Sequence, residues 1–299
     1  MTAGSDIAGL LQRAAAALAD AGIEGAAREA RLILQHVAAI PISTQIAFSE
    51  RVIDAPVVAA FDLALARRAQ REPLSHILGM REFWSLSFQV TPDTLDPRAD
   101  SETLVEAVLD QLDKRGAANP EQALEIVDFG TGTGCLLLVL LSELPQARGL
   151  GVDLNPGAVA IARANAVRLG LSDRATFQEG NWDHGLDAMF DVVISNPPYI
   201  PSADIASLQP EVARYEPRLA LDGGSDGLAA YRALAGVVSR RMKPNGFAAF
   251  EIGVGQGPEV VGLMQESGLA QLANRRDLQG HERVILFDKA RQISPSRDA

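Results

Sequence analysis

The chain has 299 residues, 47% of them hydrophobic and 22% charged, with 26 Gly and 16 Pro. That length supports about two domains with cores of their own, and the composition excludes collagen-like, low-complexity and wholly disordered chains. Lys and Arg number 27 against 38 Asp and Glu, a net charge of −11, which argues against a broad nucleic-acid surface, because duplex binding needs clustered cations.

Residues 1–18 lack a basic start followed by an apolar run, since Asp6, Gln12 and Arg13 interrupt it, so no signal peptide is expected. No apolar stretch reaches the ~20 residues of a membrane span. From Ile7 to about Arg71 apolar residues recur at helical spacing (Ile7, Leu10, Leu11, Ala14, Leu18; Ala30, Ile33, Leu34, Val37; Val57, Phe61, Leu65), broken at Gly22 and Pro41. The expectation is a small N-terminal helical bundle over 1–73 that docks a substrate or props up the remainder. Over 77–90 the pattern changes to Phe83, Trp84, Leu86, Phe88 and Val90, the last three alternating with Ser87 and Gln89, which predicts a β-hairpin linker over 74–94. Ser101 stands where it could cap a helix over 102–112, and Arg98 and Glu102 could form a surface ion pair.

Beyond Pro120 strands and helices alternate. Strands are predicted at 124–129, 148–153, 175–179, 190–195, 246–252, 271–275 and 284–287, and helices at 136–144, 156–169, 228–241 and 257–267. The fold class is therefore α/β: a seven-stranded, mostly parallel sheet covered on both faces, occupying 95–299, with a disordered tail at 294–299.

The first of these strands ends in Asp128-Phe129-Gly130-Thr131-Gly132-Thr133-Gly134 and a helix follows, so backbone can pass close to a ligand at a helix start with unpaired N–H groups. The dinucleotide fingerprint would need its third glycine at Cys135, so the loop points to an adenosyl ligand rather than a pyrophosphate. Asp153 ends the second strand, where its carboxylate can accept from both ribose hydroxyls; a plain helix cap is the alternative. Asn181 and Trp182 follow the third strand, and Trp182 either stacks on the base or packs in the core. Cys135, the single cysteine, cannot pair within the chain, reads as a small buried residue and fits a reducing, cytoplasmic compartment. His36, His76, His184 and His281 are scattered without ligand spacing, so no metal is expected.

The strand at 190–195 ends in Asn196-Pro197-Pro198-Tyr199. Two prolines cannot continue a ladder and stiffen the chain at the carboxyl edge of the sheet. An amide or aniline-like nitrogen is a poor nucleophile because its lone pair is delocalised. The Asn196 side-chain oxygen and the Pro197 carbonyl are two acceptors for the two N–H donors of such a group, and they would stabilise positive charge developing on nitrogen as it attacks a sulfonium methyl. Tyr199 can pack on the planar group. A turn that merely ends a strand is the alternative.

The segments Asp128–Gly134, Gly151-Val152-Asp153, Asn196–Tyr199 and Glu216-Pro217-Arg218-Leu219-Ala220-Leu221-Asp222-Gly223-Gly224 resemble those of class I S-adenosylmethionine-dependent methyltransferases. With the helical domain, the hairpin, Phe250-Glu251-Ile252-Gly253 and Leu278-Gln279-Gly280-His281-Glu282-Arg283, the chain resembles more closely the HemK/PrmC family, which methylates the glutamine of the Gly-Gly-Gln motif in peptide chain release factors. The resemblance implies a Rossmann-like methyltransferase sheet and S-adenosylmethionine as cofactor. It implies cofactor contacts from Gly130, Thr131, Gly132, Thr133, Gly134, Asp153, Trp182 and Asn196. Substrate contacts would come from Asn196, Pro197, Pro198 and Tyr199, with Asn196 and Pro197 catalytic. The implied partners are release factors, with no direct nucleic acid, no membrane and a monomeric state. Two positions depart from the family pattern: Asp96-Pro97-Arg98-Ala99-Asp100-Ser101-Glu102 replaces Ile-Pro-Arg-Pro before Thr-Glu, and Asn181 stands where Asp is common. Asn-Pro-Pro-Tyr alone also fits an adenine amino-methyltransferase acting on nucleic acid, and the glycine loop alone fits a non-catalytic adenosyl-binding module.

Overall fold

The computed structural model describes residues 5–117 and 123–290, so the tail at 294–299 lies outside the described residues. The chain divides into two compact units. One comprises the chain up to Met80 together with Leu208–Tyr215, and the other Arg81–Ser207 with the chain from Glu216 onward.

The first unit is helical: α1 (Ile7–Asp20), α2 (Ala26–Ala38), α3 (Ile42–Ala47), α4 (Ala55–Ala69) and α5 (Leu74–Leu78). The Asp6 side chain accepts the Gly9 N–H at 2.8 Å, satisfying one of the free donors at the start of α1. Ile7, Leu10, Leu11, Ala14 and Leu18 form the buried stripe of α1 and join Ile33 and Leu34 of α2 and Phe61 and Leu65 of α4 in one core. Helical structure continues through α5, past the sequence division at 73. A charged cluster is buried here as well. The Arg68 guanidinium donates to Glu29 at 2.5 Å and to Glu211 at 3.0 Å, and Arg71 donates to Glu211 at 2.8 Å.

In the second unit β1 (Met80–Phe83) and β2 (Leu86–Gln89) form the predicted hairpin. Trp84 and Ser85 both hold positive φ at its two-residue turn, the geometry that matches strand twist. A 3₁₀ turn at Ala99–Ser101 leads into α6 (Glu102–Lys114). Then follow β3 (Glu125–Phe129), α7 (Cys135–Glu143), β4 (Arg148–Asp153), α8 (Pro156–Arg168), β5 (Ala175–Glu179) and β6 (Phe190–Ser195). Next along the chain, α9 (Pro210–Tyr215) belongs to the first unit, and α10 (Arg218–Leu221), α11 (Ala229–Arg241), β7 (Met242–Glu251), α12 (Gly257–Glu266), β8 (Leu269–Arg276) and β9 (Glu282–Lys289) complete the second.

The seven-stranded sheet runs β5-β4-β3-β6-β7-β9-β8, parallel except where β9 meets β7 and β8. Strand order reverses beside β3, since β4 and β6 flank it, and that reversal opens a crevice at the carboxyl ends of the strands. Alternate side chains of each strand enter opposite cores. Ile126, Val192 and Ile194 pack with α6 and α7, while Val127, Phe129 and Val193 pack with α11 and α12. In α7 every residue from Leu136 to Leu141 is buried, which is why its sequence is apolar all round.

Two sequence readings change at the start of α6. Ser101 makes no capping bond, because its backbone is already helical and its hydroxyl donates instead to the Glu251 carboxylate at 2.5 Å. Arg98 does not pair with Glu102. It donates to the buried Glu216 at 2.5 Å, a stronger partner in a drier place, while Glu102 accepts the Trp84 backbone N–H at 2.9 Å.

Candidate active site

The carboxyl ends of β3, β4, β5 and β6 surround an open cleft, the usual place for a ligand in an open α/β sheet. Of the residues expected at a cofactor, Gly130, Thr131, Gly132, Thr133, Asp153, Trp182 and Asn196 line it. Gly134 and the substrate-side residues Pro197 and Tyr199 do not, whereas Pro198 does.

The glycine loop turns back at the end of β3 because Gly130 and Gly132 adopt φ of 74° and 54°. A Cβ at Gly132 would meet no heavy atom within 4 Å, so this backbone faces open cleft. Gly134 differs. It starts α7 at φ 78°, and a Cβ there would press on Ala162, Leu138 and Phe177 at 3.2 Å, so its smallness serves helix packing. Asn165, wholly buried in α8, donates to the Thr133 carbonyl at 2.9 Å and exchanges hydrogen bonds with both backbone groups of Gln89, tying the loop to the hairpin.

Asp153 accepts the Gly132 N–H at 2.8 Å through one oxygen and the Asn155 N–H at 2.9 Å through the other. Asn155, not Asp153, caps α8, taking the Gly157 N–H at 2.9 Å. Burial raises the Asp153 pKa above the usual carboxylate range, against these N–H donors, and its remaining lone pairs suit ribose hydroxyls. Asp128 lies deeper. Burial pushes it up to about 7, opposed by the Thr131 hydroxyl at 2.7 Å and reinforced by the charge of Asp153. Its second oxygen is buried without a hydrogen-bond partner. Two buried or partly buried carboxylates, a bare glycine edge and an open cleft fit a cationic adenosyl compound. Trp182 holds φ at 53°, a left-handed conformation that a bulky side chain adopts only under constraint, and it packs on the core beneath β4 while lining the cleft. Burial lifts the Cys135 thiol to about 12, against a hydrogen bond with Thr133, so Cys135 enters the cleft wall as a neutral group.

On the far side of β3, Ser195 donates to the Phe129 carbonyl at 2.6 Å and fixes the end of β6, from which Asn196 projects. The Asn196 Nδ2 donates to Ser101 Oγ at 3.1 Å, which leaves the Oδ1 acceptor to serve a ligand. Beyond the prolines, Tyr199 carries its hydroxyl to Glu251 at 3.3 Å, and its carbonyl accepts from Gln256 at 3.0 Å. The next residue, Ile200, pairs with the segment 216–224 by bonds from its N–H to Leu221 and from Gly223 to its carbonyl. Two sequence segments thus fold into one wall. Pro217, Leu219 and Ala220 join Arg98 on the cleft surface, and behind them burial pushes Glu216 up to about 7 against the pull of Arg98. Sequence reasoning missed Ser101, Asn165 and Glu216 because each acts through a partner far along the chain.

Two family models match the chain: the PrmC N-terminal domain over residues 9–79 and the methyltransferase small domain over residues 100–212. Over 277 residues the chain is 47% identical to the release factor glutamine methyltransferase of Rhodospirillum rubrum, covering 93% of this chain and 83% of that one. It is 43% identical over 281 residues to the enzyme of that name from Caulobacter vibrioides (93% and 95% covered). For that of Bradyrhizobium diazoefficiens the identity is 39% over 293 residues (98% and 97% covered). With both parts matched and relatives aligned nearly end to end, the chain belongs to the release factor glutamine methyltransferase family.

Proposed function

We propose that this chain transfers a methyl group from S-adenosylmethionine to the side-chain amide nitrogen of the glutamine in the Gly-Gly-Gln motif of peptide chain release factors. S-adenosylmethionine supplies, when bound, a methyl group activated by its sulfonium charge. Gly130 to Thr133, Asp153 and Trp182 would hold the adenosyl part, with Gly134 shaping the loop from behind.

The amide is the difficult reactant. Asn196 Oδ1 and the Pro197 carbonyl accept its two N–H groups, so that the nitrogen is held still and charge developing on it meets fixed oxygens. Pro198 and Tyr199 keep those acceptors stiff, and Gln256 pins the end of the turn. The observation that carries this reading is the oriented Asn196 amide: with an Nδ2 N–H given to Ser101, the Oδ1 end is left to offer an acceptor, as an NH2-bearing substrate requires. The N-terminal helical domain, which continues through α5, serves as the docking surface for the protein substrate, the β1–β2 hairpin leads from it to the catalytic domain, and the enzyme works as a cytoplasmic monomer.

An adenine amino group has the same two donors, but the net charge of −11 disfavours a polyanion as substrate. The test is labelled-methyl transfer from S-adenosylmethionine to a purified release factor and to a variant with the Gly-Gly-Gln glutamine replaced. Label is expected in the first and not in the second. Equal labelling of both, or transfer to oligonucleotides instead, overturns the substrate assignment.

A further inference from the structure

The segments 250–253 and 278–283 contribute no residue to the cleft, yet they converge on a buried carboxylate beneath Asn196. Glu251, at the end of β7, is 2% exposed. One of its oxygens accepts from Ser101 Oγ at 2.5 Å and the other from the Tyr199 hydroxyl at 3.3 Å. Its backbone carbonyl accepts from the Tyr231 hydroxyl at 2.8 Å. Arg283 supplies the nearby positive charge. It is fixed in turn by Asp277 at 2.9 Å and by the Ile252 carbonyl at 3.4 Å, and Asp277 also takes the backbone N–H groups of Gln279 and His281.

A serine hydroxyl has one proton. Donating it to Glu251, Ser101 can only accept from Asn196, and of the two ends of the Asn196 amide only Nδ2 can donate. We infer that Glu251, acting through Ser101 and favoured in its charged form by the nearby Arg283, is a positioning residue that fixes which end of the Asn196 amide faces the cleft. The inference rests on the proposed role of Asn196 as acceptor for the substrate amide.

The two orientations of an asparagine amide have nearly the same shape, so packing alone selects weakly between them. The charge on Glu251 makes the selection. Once Glu251 gains a proton, Ser101 is free to donate the other way, Asn196 turns its NH2 group toward the cleft, and donor then faces donor. Groups around Glu251 set where this happens. Burial raises it to about 6, Ser101, Arg283 and Tyr199 oppose the rise, and Asp100 adds to it. Tyr231 and the neutral Cys135 complete its surroundings.

The test compares wild type, Glu251→Gln, Ser101→Ala and the double variant. At about pH 8, where Glu251 is ionised, each single variant is expected to lower kcat roughly 10- to 100-fold, with the Kd for S-adenosylmethionine and the KM for release factor changed less than about twofold. The double variant should be no worse than the poorer single one, because both cut one chain of contacts. The wild-type acid limb near pH 6 should vanish from both. An independent readout needs no turnover: in full-length protein carrying isotopically labelled asparagine, the Asn196 side-chain amide signal should titrate near pH 6 in wild type and not in Glu251→Gln. Undiminished kcat, losses that multiply in the double variant, an acid limb that persists, or an Asn196 signal blind to Glu251 overturns the inference. If Glu251→Gln does not fold, Ser101→Ala decides by the same criteria. Failure of wild type to methylate a release factor bears on the substrate assignment, and the amide titration still reads the positioning chain.

Discussion

Truncating Asn196 removes one acceptor from the cleft while β6 stays anchored through Ser195 and Phe129. Asn196→Ala is therefore expected to lower kcat by about 10²–10³-fold, the usual size of losing one preorganised polar partner in a transition state, and to change S-adenosylmethionine binding less than about threefold. Single-turnover kinetics with calorimetry of donor binding checks this; near-normal turnover removes Asn196 from the chemistry. Asn196, Asp153 and the glycine loop were legible in the sequence because their cues are local: a strand end followed by glycine, proline or a carboxylate. Ser101 was legible only as a helix cap, since nothing within reach in sequence shows that its partner stands 150 residues away. Trp182 was legible as an aromatic after the third strand of the sheet, but its left-handed backbone was not, because no residue-level rule sends tryptophan to positive φ.

Among the elements, β4, β5 and β6 follow the sequence reading to the residue, β6 because it is a short, mostly apolar buried run and the edge strand β5 because its apolar residues alternate with polar ones. The helices α9 and α10 escaped it, being six and four residues long, too short for a 3.6-residue period to repeat. β7 begins at Met242 rather than 246, because Met242 pairs with Phe190 before a register shift, an irregularity that no alternation rule announces. The charged cluster of the helical unit is a larger surprise. Arg68 of α4 is 6% exposed, and its two partners, Glu29 and Glu211, come from α2 and α9. Cutting Arg68 back strips Glu29 of its guanidinium partner and leaves Glu211 with Arg71 alone, so Arg68→Ala is expected to destabilise the helical unit by about 3–5 kcal/mol. Denaturant unfolding measures it. A loss below about 1 kcal/mol would mean that water already screens the cluster.

Across the whole molecule the buried carboxylates give stability an unusual dependence on pH. Burial raises Asp128 and Glu216 to about 7 and Glu251 to about 6, so the folded chain keeps protons that the unfolded chain has released. Where the unfolded state binds fewer protons, stability falls as pH rises, and the window runs from ordinary carboxylate values near 4 up to about 7. Asp183, Glu211 and Asp277 act oppositely: arginine partners lower them against the cost of burial, and their contribution is lost as pH drops below the ordinary carboxylate range. Asp128→Asn should flatten the decline in unfolding free energy between about pH 5 and pH 8, measured by denaturant titration at both. An unchanged slope would show that Asp128 is already ionised in the fold at the lower pH.

The segment Leu208–Tyr215 belongs to the helical unit although the sheet strands β3 to β6 precede it in the chain. During synthesis Arg68 therefore emerges with Glu29 alone, and its second counter-charge leaves the ribosome only after strands β3 to β6 have been made. The first part to be translated therefore stays incomplete until strands β3 to β6 have been made, and the Asn-Pro-Pro-Tyr turn is already in existence when the helical unit acquires its last helix.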